Sequence, residues 1–146
     1  MAVSLERVYR FSAGHLYRRP EWSDAENERQ FGRCSWPPGH GHNYRLTVTV
    51  GGAVDGRTGF VVDLALLDRL VRERVVERLD HRMLQEAIPE FRADGGGKIP
   101  SGENLALWIR DELRDHLPPG VRLLAIRVGE DDDLAATWVR EAGEPE

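Results

Sequence analysis

An α+β fold, with one antiparallel sheet and helices laid on one of its faces, is what the sequence predicts. Three observations carry that expectation. Residues Tyr44-Arg45-Leu46-Thr47-Val48-Thr49-Val50 put Tyr44, Leu46, Val48 and Val50 on one face, the period-two pattern of a half-buried strand. Apolar residues at Leu64, Leu67, Val71, Val75 and Leu79, and again at Leu105, Trp108, Ile109, Leu113 and Leu117, recur every three or four positions, as an amphipathic helix requires. Finally, the elements follow in the order strand, strand pair, helix, helix, strand pair.

Taken along the chain, Val3 to Phe11 reads as the first strand and Tyr44 to Val50 as the second. Asp55-Gly56-Arg57-Thr58-Gly59 is a turn cluster, so Phe60-Val61-Val62 is expected to return as the other arm of a hairpin. Asp63 has the side chain to cap the first helix. Ser101 can cap the second, with Glu103 in its first turn where a carboxylate favours the helix dipole. Pro118-Pro119-Gly120 ends that helix. Val121 to Val128 and Leu134 to Val139 then close the sheet around the acidic turn Asp131-Asp132-Asp133. Asp94-Gly95-Gly96-Gly97 reads as a mobile loop, and Gly143-Glu144-Pro145-Glu146 as a frayed end.

The chain has 146 residues, 40% hydrophobic and 31% charged, a length that suits one domain spanning 1–146. A chain of this size buries roughly 68–70% of its unfolded surface, enough to fold without disulfides. Twenty basic residues against twenty-five acidic ones give a formal charge of −5. That balance argues against nucleic acid or an anionic membrane as partner, since both reward a basic surface. There is no secretory signal at the start and no run of eighteen apolar residues. A cytoplasmic protein is therefore expected, and the single cysteine, Cys34, suits a reducing compartment.

Chemistry gathers around the histidines. Gly39-His40-Gly41-His42-Asn43 runs straight into the second strand, and if it is already extended there, His40 and His42 project from one face. His15 lies just past the first strand and reaches the same point if the two strands are neighbours. Three neutral imidazoles with a fourth position open match catalytic zinc. Cys34 stands a few residues ahead of His40. It can serve as a fourth ligand of a closed structural site or as a base beside a zinc-bound substrate, its pKa lowered by the cation. Asp80-His81, at the end of the first helix, has the makings of a proton relay. Glu130, at a strand end, can accept two parallel N–H bonds from a guanidine-like ring edge. His116, before two prolines, reads as a surface residue.

These motifs, in this order, resemble the 6-pyruvoyltetrahydropterin synthase family: Phe11-Ser12-Ala13-Gly14-His15, Cys34 with Gly39-His40-Gly41-His42-Asn43-Tyr44, Leu79-Asp80-His81, Ser101-Gly102-Glu103-Asn104-Leu105-Ala106, and Glu130. The resemblance covers about residues 5–139. It implies a tunnelling fold with a four-stranded antiparallel sheet and two helices. Three subunits would close a barrel and two trimers would stack into a homohexamer. It also implies that His15, His40 and His42 bind zinc (Zn2+), that Cys34 is the catalytic base, and that Asp80 and His81 complete a relay from a neighbouring subunit. Glu130 would anchor the pterin, assisted by Ser101 and Glu103. The implied reaction converts 7,8-dihydroneopterin triphosphate to 6-pyruvoyltetrahydropterin with loss of triphosphate. The gap between Cys34 and His40 is similar to that of the biopterin-type members. The alternative is the 6-carboxytetrahydropterin synthases of queuosine and deazapurine biosynthesis, which act on the same substrate. Gly102 departs from the family pattern, in which a second hydroxyl residue commonly precedes the glutamate.

Overall fold

The computed structural model describes residues 3–143. In chain order its elements are β1 (Val3–His15), α1 (Asp24–Phe31), a 3₁₀ turn (Gly32–Ser35), β2 (His40–Gly52) and α2 (Leu64–Val71). A π-helical turn (Arg72–Val76) leads into α3 (Glu77–Leu79), followed by β3 (Arg82–Met83), α4 (Leu84–Ala87), α5 (Gly102–Leu113), β4 (Arg122–Glu130) and β5 (Leu134–Val139). The strands form one sheet in the order β3-β1-β2-β4-β5. All pairings are antiparallel except that of β1 with the two-residue β3.

The predicted α+β architecture is thus present, with two corrections. The sheet has five strands rather than four, because Arg82–Met83 adds a short parallel strand against Ala13 and Gly14. The expected hairpin arm at Phe60-Val61-Val62 is not a strand. Its intended partner, β2, is already paired on both sides near its end, with Val3 opposite Gly52 and Arg122 opposite Gly51. With no free edge, the segment closes a loop in which Asp55 caps the amides of Arg57 and Thr58, and Asp55 N–H bonds to the Phe60 carbonyl. Val62 is buried and Phe60 is exposed.

The helical stripe from 64 to 79 shows why spacing matters. Leu67, Val71, Val75 and Leu79 are all fully buried, yet they recur every four residues. A straight α-helix has 3.6 residues per turn and would rotate the later positions away from the sheet. The wider π-helical turn at Arg72–Val76 absorbs that drift, so Val75 and Leu79 stay on the core side. Leu64 precedes this face and remains exposed. Asp63 caps α2 as expected, accepting from the amides of Ala65 (2.8 Å) and Leu66 (3.4 Å). The core joins these helical residues and Leu105, Ile109 and Leu113 of α5 to Leu46, Val48, Val50, Ile126 and Val128 of the sheet.

Truncating Leu67 to alanine in this core is expected to cost about 2–5 kcal/mol, the lost transfer energy plus a cavity. Urea unfolding of the variant against the parent measures it. Among the described residues no helix is long and apolar enough to cross a membrane.

Candidate active site

The site is the continuation of the core face at one end of the sheet. Along β1 the buried residues are Tyr9, Phe11, Ala13 and His15, and along β2 Tyr44, Leu46, Val48 and Val50. The antiparallel register sets His15 opposite His40, Ala13 opposite His42, and Tyr44 between Phe11 and Glu130. Side chains alternate faces along a strand, so the rows that supply Phe11, Leu46 and Val128 further down supply His15, His40, His42 and Glu130 here. Both strands run longer than expected from sequence, β1 to His15 and β2 from His40, and that extension is what brings the imidazoles together.

The three rings turn their Nε2 atoms inward. His15 Nε2 lies 3.1 Å from His40 Nε2 and 3.3 Å from His42 Nε2. Two nitrogens each about 2.0–2.1 Å from one tetrahedral zinc stand about 3.3 Å apart, so the spacing of His15 to each of the other two imidazoles fits that ion. The outer nitrogens are held too. His15 Nδ1 is 3.1 Å from Tyr44 Oη, and His42 Nδ1 is 2.8 Å from Asp131 Oδ2. Burial, with His42 and His40 nearby, lowers the His15 pKa from its usual value to about 3, and burial lowers that of His40. Neutral imidazoles with free Nε2 lone pairs are the form that binds a metal.

Around this centre the donors form two overlapping groups that share His15: His15 with Cys34 and His40, and His15 with His42 and Glu130. Cys34 sits in the 3₁₀ turn after α1, its carbonyl tied to the Tyr17 amide at 2.8 Å and its Sγ 4.0 Å from His40 Nε2. Burial, then the charge of Glu130, push its thiol above the ordinary range. Metal-free protein should therefore be alkylated by iodoacetamide with a pH midpoint above that of a free cysteine, and Glu130→Gln should lower that midpoint. With one cysteine in the chain, labelling followed by mass reads the thiol directly.

Glu130 is 7% exposed. Its Oε1 is 3.5 Å from Tyr17 Oη and 3.9 Å from His15 Nδ1, and its Oε2 is 3.9 Å from His42 Nε2. Burial raises its carboxyl pKa, with His42 acting against that shift. Tyr17, Phe31, Ser101, Glu103, Glu130 and Leu134 belong to the wall of one cavity of about 300 Å³ beside the imidazoles. Ser101 caps α5, its hydroxyl accepting from the Asn104 amide at 3.3 Å. A Cβ on Gly102 would stand 3.4 Å from Ala136 Cβ and 3.6 Å from Glu130 Oε1, so the missing side chain leaves room beside the carboxylate.

Asp80 and His81 lie elsewhere. Asp80 Oδ1 accepts from the Ser12 amide at 2.8 Å and its Oδ2 pairs with His81 Nδ1 at 2.9 Å. The His81 side chain is 83% exposed. It lines a second cavity of about 430 Å³ with Ser12, His42, Asn43 and Asp131, and Cys34 is not part of that wall. The carboxylate–imidazole pair is formed, but within this chain it is not joined to the thiol.

Sequence reasoning missed Tyr17, Tyr44 and Asp131. Tyr17 packs its ring 4.5 Å from that of His15, and α1, also unforeseen, supplies Phe31 behind it. Position gave the only signal: each stands one or two residues from a predicted site residue. Gly39 stands at the turn into β2. Its φ is +101°, and a Cβ there would lie 2.3 Å from the His15 carbonyl, so the turn into His40 demands glycine.

A family model described as 6-pyruvoyl tetrahydropterin synthase matches residues 4–141. Human 6-pyruvoyl tetrahydrobiopterin synthase is 41% identical over 139 residues, covering 95% of this chain and 92% of the human one. A dihydroneopterin monophosphate aldolase from Pyrococcus furiosus is 30% identical over 129 residues, with 87% and 90% covered. In structure, Caenorhabditis elegans 6-pyruvoyl tetrahydropterin synthase superposes with a TM-score of 0.85 at 32% identity, covering 97% of each chain.

Proposed function

Because the chain belongs to the 6-pyruvoyl tetrahydropterin synthase family, we propose that it is a zinc-dependent lyase that converts 7,8-dihydroneopterin triphosphate to 6-pyruvoyltetrahydropterin and releases triphosphate. The observation that carries this reading is the pair of donor groups that share His15, one with Cys34 and His40 and the other with His42 and Glu130, the last of which also lines the cavity beside Tyr17. His15, His40 and His42 would hold the zinc, which supplies Lewis-acid polarisation of substrate oxygens.

The chain's own groups do the rest. Glu130 accepts two N–H bonds from the 2-amino-pyrimidinone edge of the pterin, a bidentate pairing that fixes the ring in plane. Phe31 and Leu134 give the cavity apolar walls, and Glu103 and Ser101 line it as well. Cys34, as thiolate, takes the proton from the hydroxyl-bearing side-chain carbon that adjoins the one carrying the triphosphate. The electron pair left behind forms a carbon–carbon double bond as the carbon–oxygen bond to triphosphate breaks. Ketonisation of that enol gives one carbonyl; the second forms as the side-chain carbon attached to the ring loses its proton and its electron pair passes into the ring C=N bond, so that the dihydropterin is reduced to a tetrahydropterin while the side chain is oxidised, with no external oxidant.

Asp80 and His81 serve this reaction from a neighbouring subunit. Their exposure and their separation from Cys34 within the chain support that arrangement. So do the outer edges of β1 and β5, which pair with nothing over most of their length among the described residues. Sheet edges of this kind are closed by further strands, as a barrel of three subunits, doubled to a homohexamer, would do.

Incubation with 7,8-dihydroneopterin triphosphate and zinc, followed by product mass, tests the proposal. The pyruvoyl product with triphosphate is expected. A 6-carboxy product with acetaldehyde would assign the chain to the deazapurine branch, and loss of the side chain as an aldehyde without triphosphate release would assign it aldolase chemistry.

A further inference from the structure

We propose that Asp131 is the positioning residue of His42, holding its imidazole with the proton on Nδ1 so that Nε2 is presented to the metal. The inference rests on the reading of His42 as a zinc ligand. Its Nδ1 stands 2.8 Å from Asp131 Oδ2, while its Nε2 is the atom turned toward His15. The same carboxylate takes the Asn43 backbone amide, so it is fixed by the strand that carries His42. That double anchoring fixes the carboxylate against which the ring is held.

The backbone is shaped to put the carboxylate there. β4 ends at Glu130, which pairs with Tyr44. Asp131 then enters the left-handed region with φ of +62°, a conformation that non-glycine residues other than Asn and Asp seldom adopt. The turn sends Glu130 to one side of the histidine cluster and Asp131 to the other. Glu130 lines the smaller cavity near Tyr17, and Asp131 lines the one near His81. Two adjacent carboxylates thus have separate duties: one faces the substrate cavity, the other braces a ligand.

The three ligands are braced differently. His15 has a neutral partner in Tyr44 Oη, and His42 has a charged one. Among the described residues no hydrogen bond holds His40 Nδ1. A carboxylate on the outer nitrogen raises the basicity of the imidazole and fixes its tautomer, and loss of such a partner typically weakens metal affinity about 10–100-fold.

Zinc affinity of the full-length protein, read by competition with a chromophoric chelator, tests this independently of turnover. Asp131→Gly removes the carboxylate but suits the left-handed backbone, so it should fold as the parent does without metal. It should also bind zinc about 10–100-fold more weakly. Asp131→Asn keeps an acceptor without charge and should fall between the two. Asp133→Asn, in the same acidic run, should bind like the parent. Asp131→Gly within twofold of the parent overturns the proposal, as does an equal loss in Asp133→Asn, which would make the effect one of general charge. If the parent itself binds no zinc, or His42→Ala binds as well as the parent, it is the metal assignment that fails.

Discussion

Replacing Cys34 by alanine is expected to lower triphosphate release by about 10²–10⁴-fold, the usual contribution of a positioned acid–base group, while zinc stays bound. The geometry separates the two outcomes. Cys34 Sγ is 4.0 Å from His40 Nε2 and lies in a 3₁₀ turn outside the strands, whereas the imidazoles are held by strand pairing and by their own hydrogen bonds. Removing the thiol therefore leaves the ligand set standing. If Cys34 were instead a fourth ligand in a closed structural site, the same variant would lose zinc and thermal stability together. Zinc content by elemental analysis, beside triphosphate release from the pterin substrate, decides between them.

The fold was legible where one physical pattern sufficed. Alternation along Tyr44 to Val50 marks a strand whatever its partner, and the caps at Asp63 and Ser101 are local chemistry; both serve as expected. The misreading at Phe60-Val61-Val62 came from a non-local fact: the edge of β2 was already taken at that end by β1 and β4. No window of sequence around residue 60 contains that information. The four-residue spacing of the α2 stripe did contain a clue to the π-helical turn, since strict spacing by four does not match 3.6 residues per turn.

The site was legible in its donors and less so in its supports. His40 and His42, two residues apart in an extended segment, had to share a face, and His15 needed only the pairing of β1 with β2. The braces Tyr44 and Asp131 were hidden by roles that looked complete: Tyr44 as one more apolar strand residue, Asp131 as part of a solvated acidic turn. What reveals them is register, which sets Tyr44 beside Phe11 and Glu130 and brings the end of β4 back to Asn43. The thiol gave a different lesson. The protein alone raises its pKa through burial and Glu130, whereas a cation held by the histidines would act against that shift.

His15 is where loss should be most complete. It is fully buried, it is shared by both donor groups, and its Nε2 is within 3.3 Å of both other imidazoles. His15→Gln is expected to reduce zinc affinity by more than the roughly 10–100-fold that follows removal of an outer partner, and activity should vanish with the metal. The same residue imposes a pH dependence on the metal-free protein. Its folded pKa is about 3 against about 6.5 for a free imidazole, so between those values the unfolded chain binds the extra proton. Stability from this group is therefore complete above about pH 6.5 and is lost as pH falls toward 3. The raised carboxyl of Glu130 acts with the opposite sign, because the folded state there holds the proton more tightly. The clean measurement is consequently a difference: urea unfolding of metal-free parent and His15→Gln between pH 7 and 4, in which the parent should lose more stability on acidification. Parallel curves would mean that His15 is not held neutral by its burial, and would remove the physical reason for treating it as a preformed ligand.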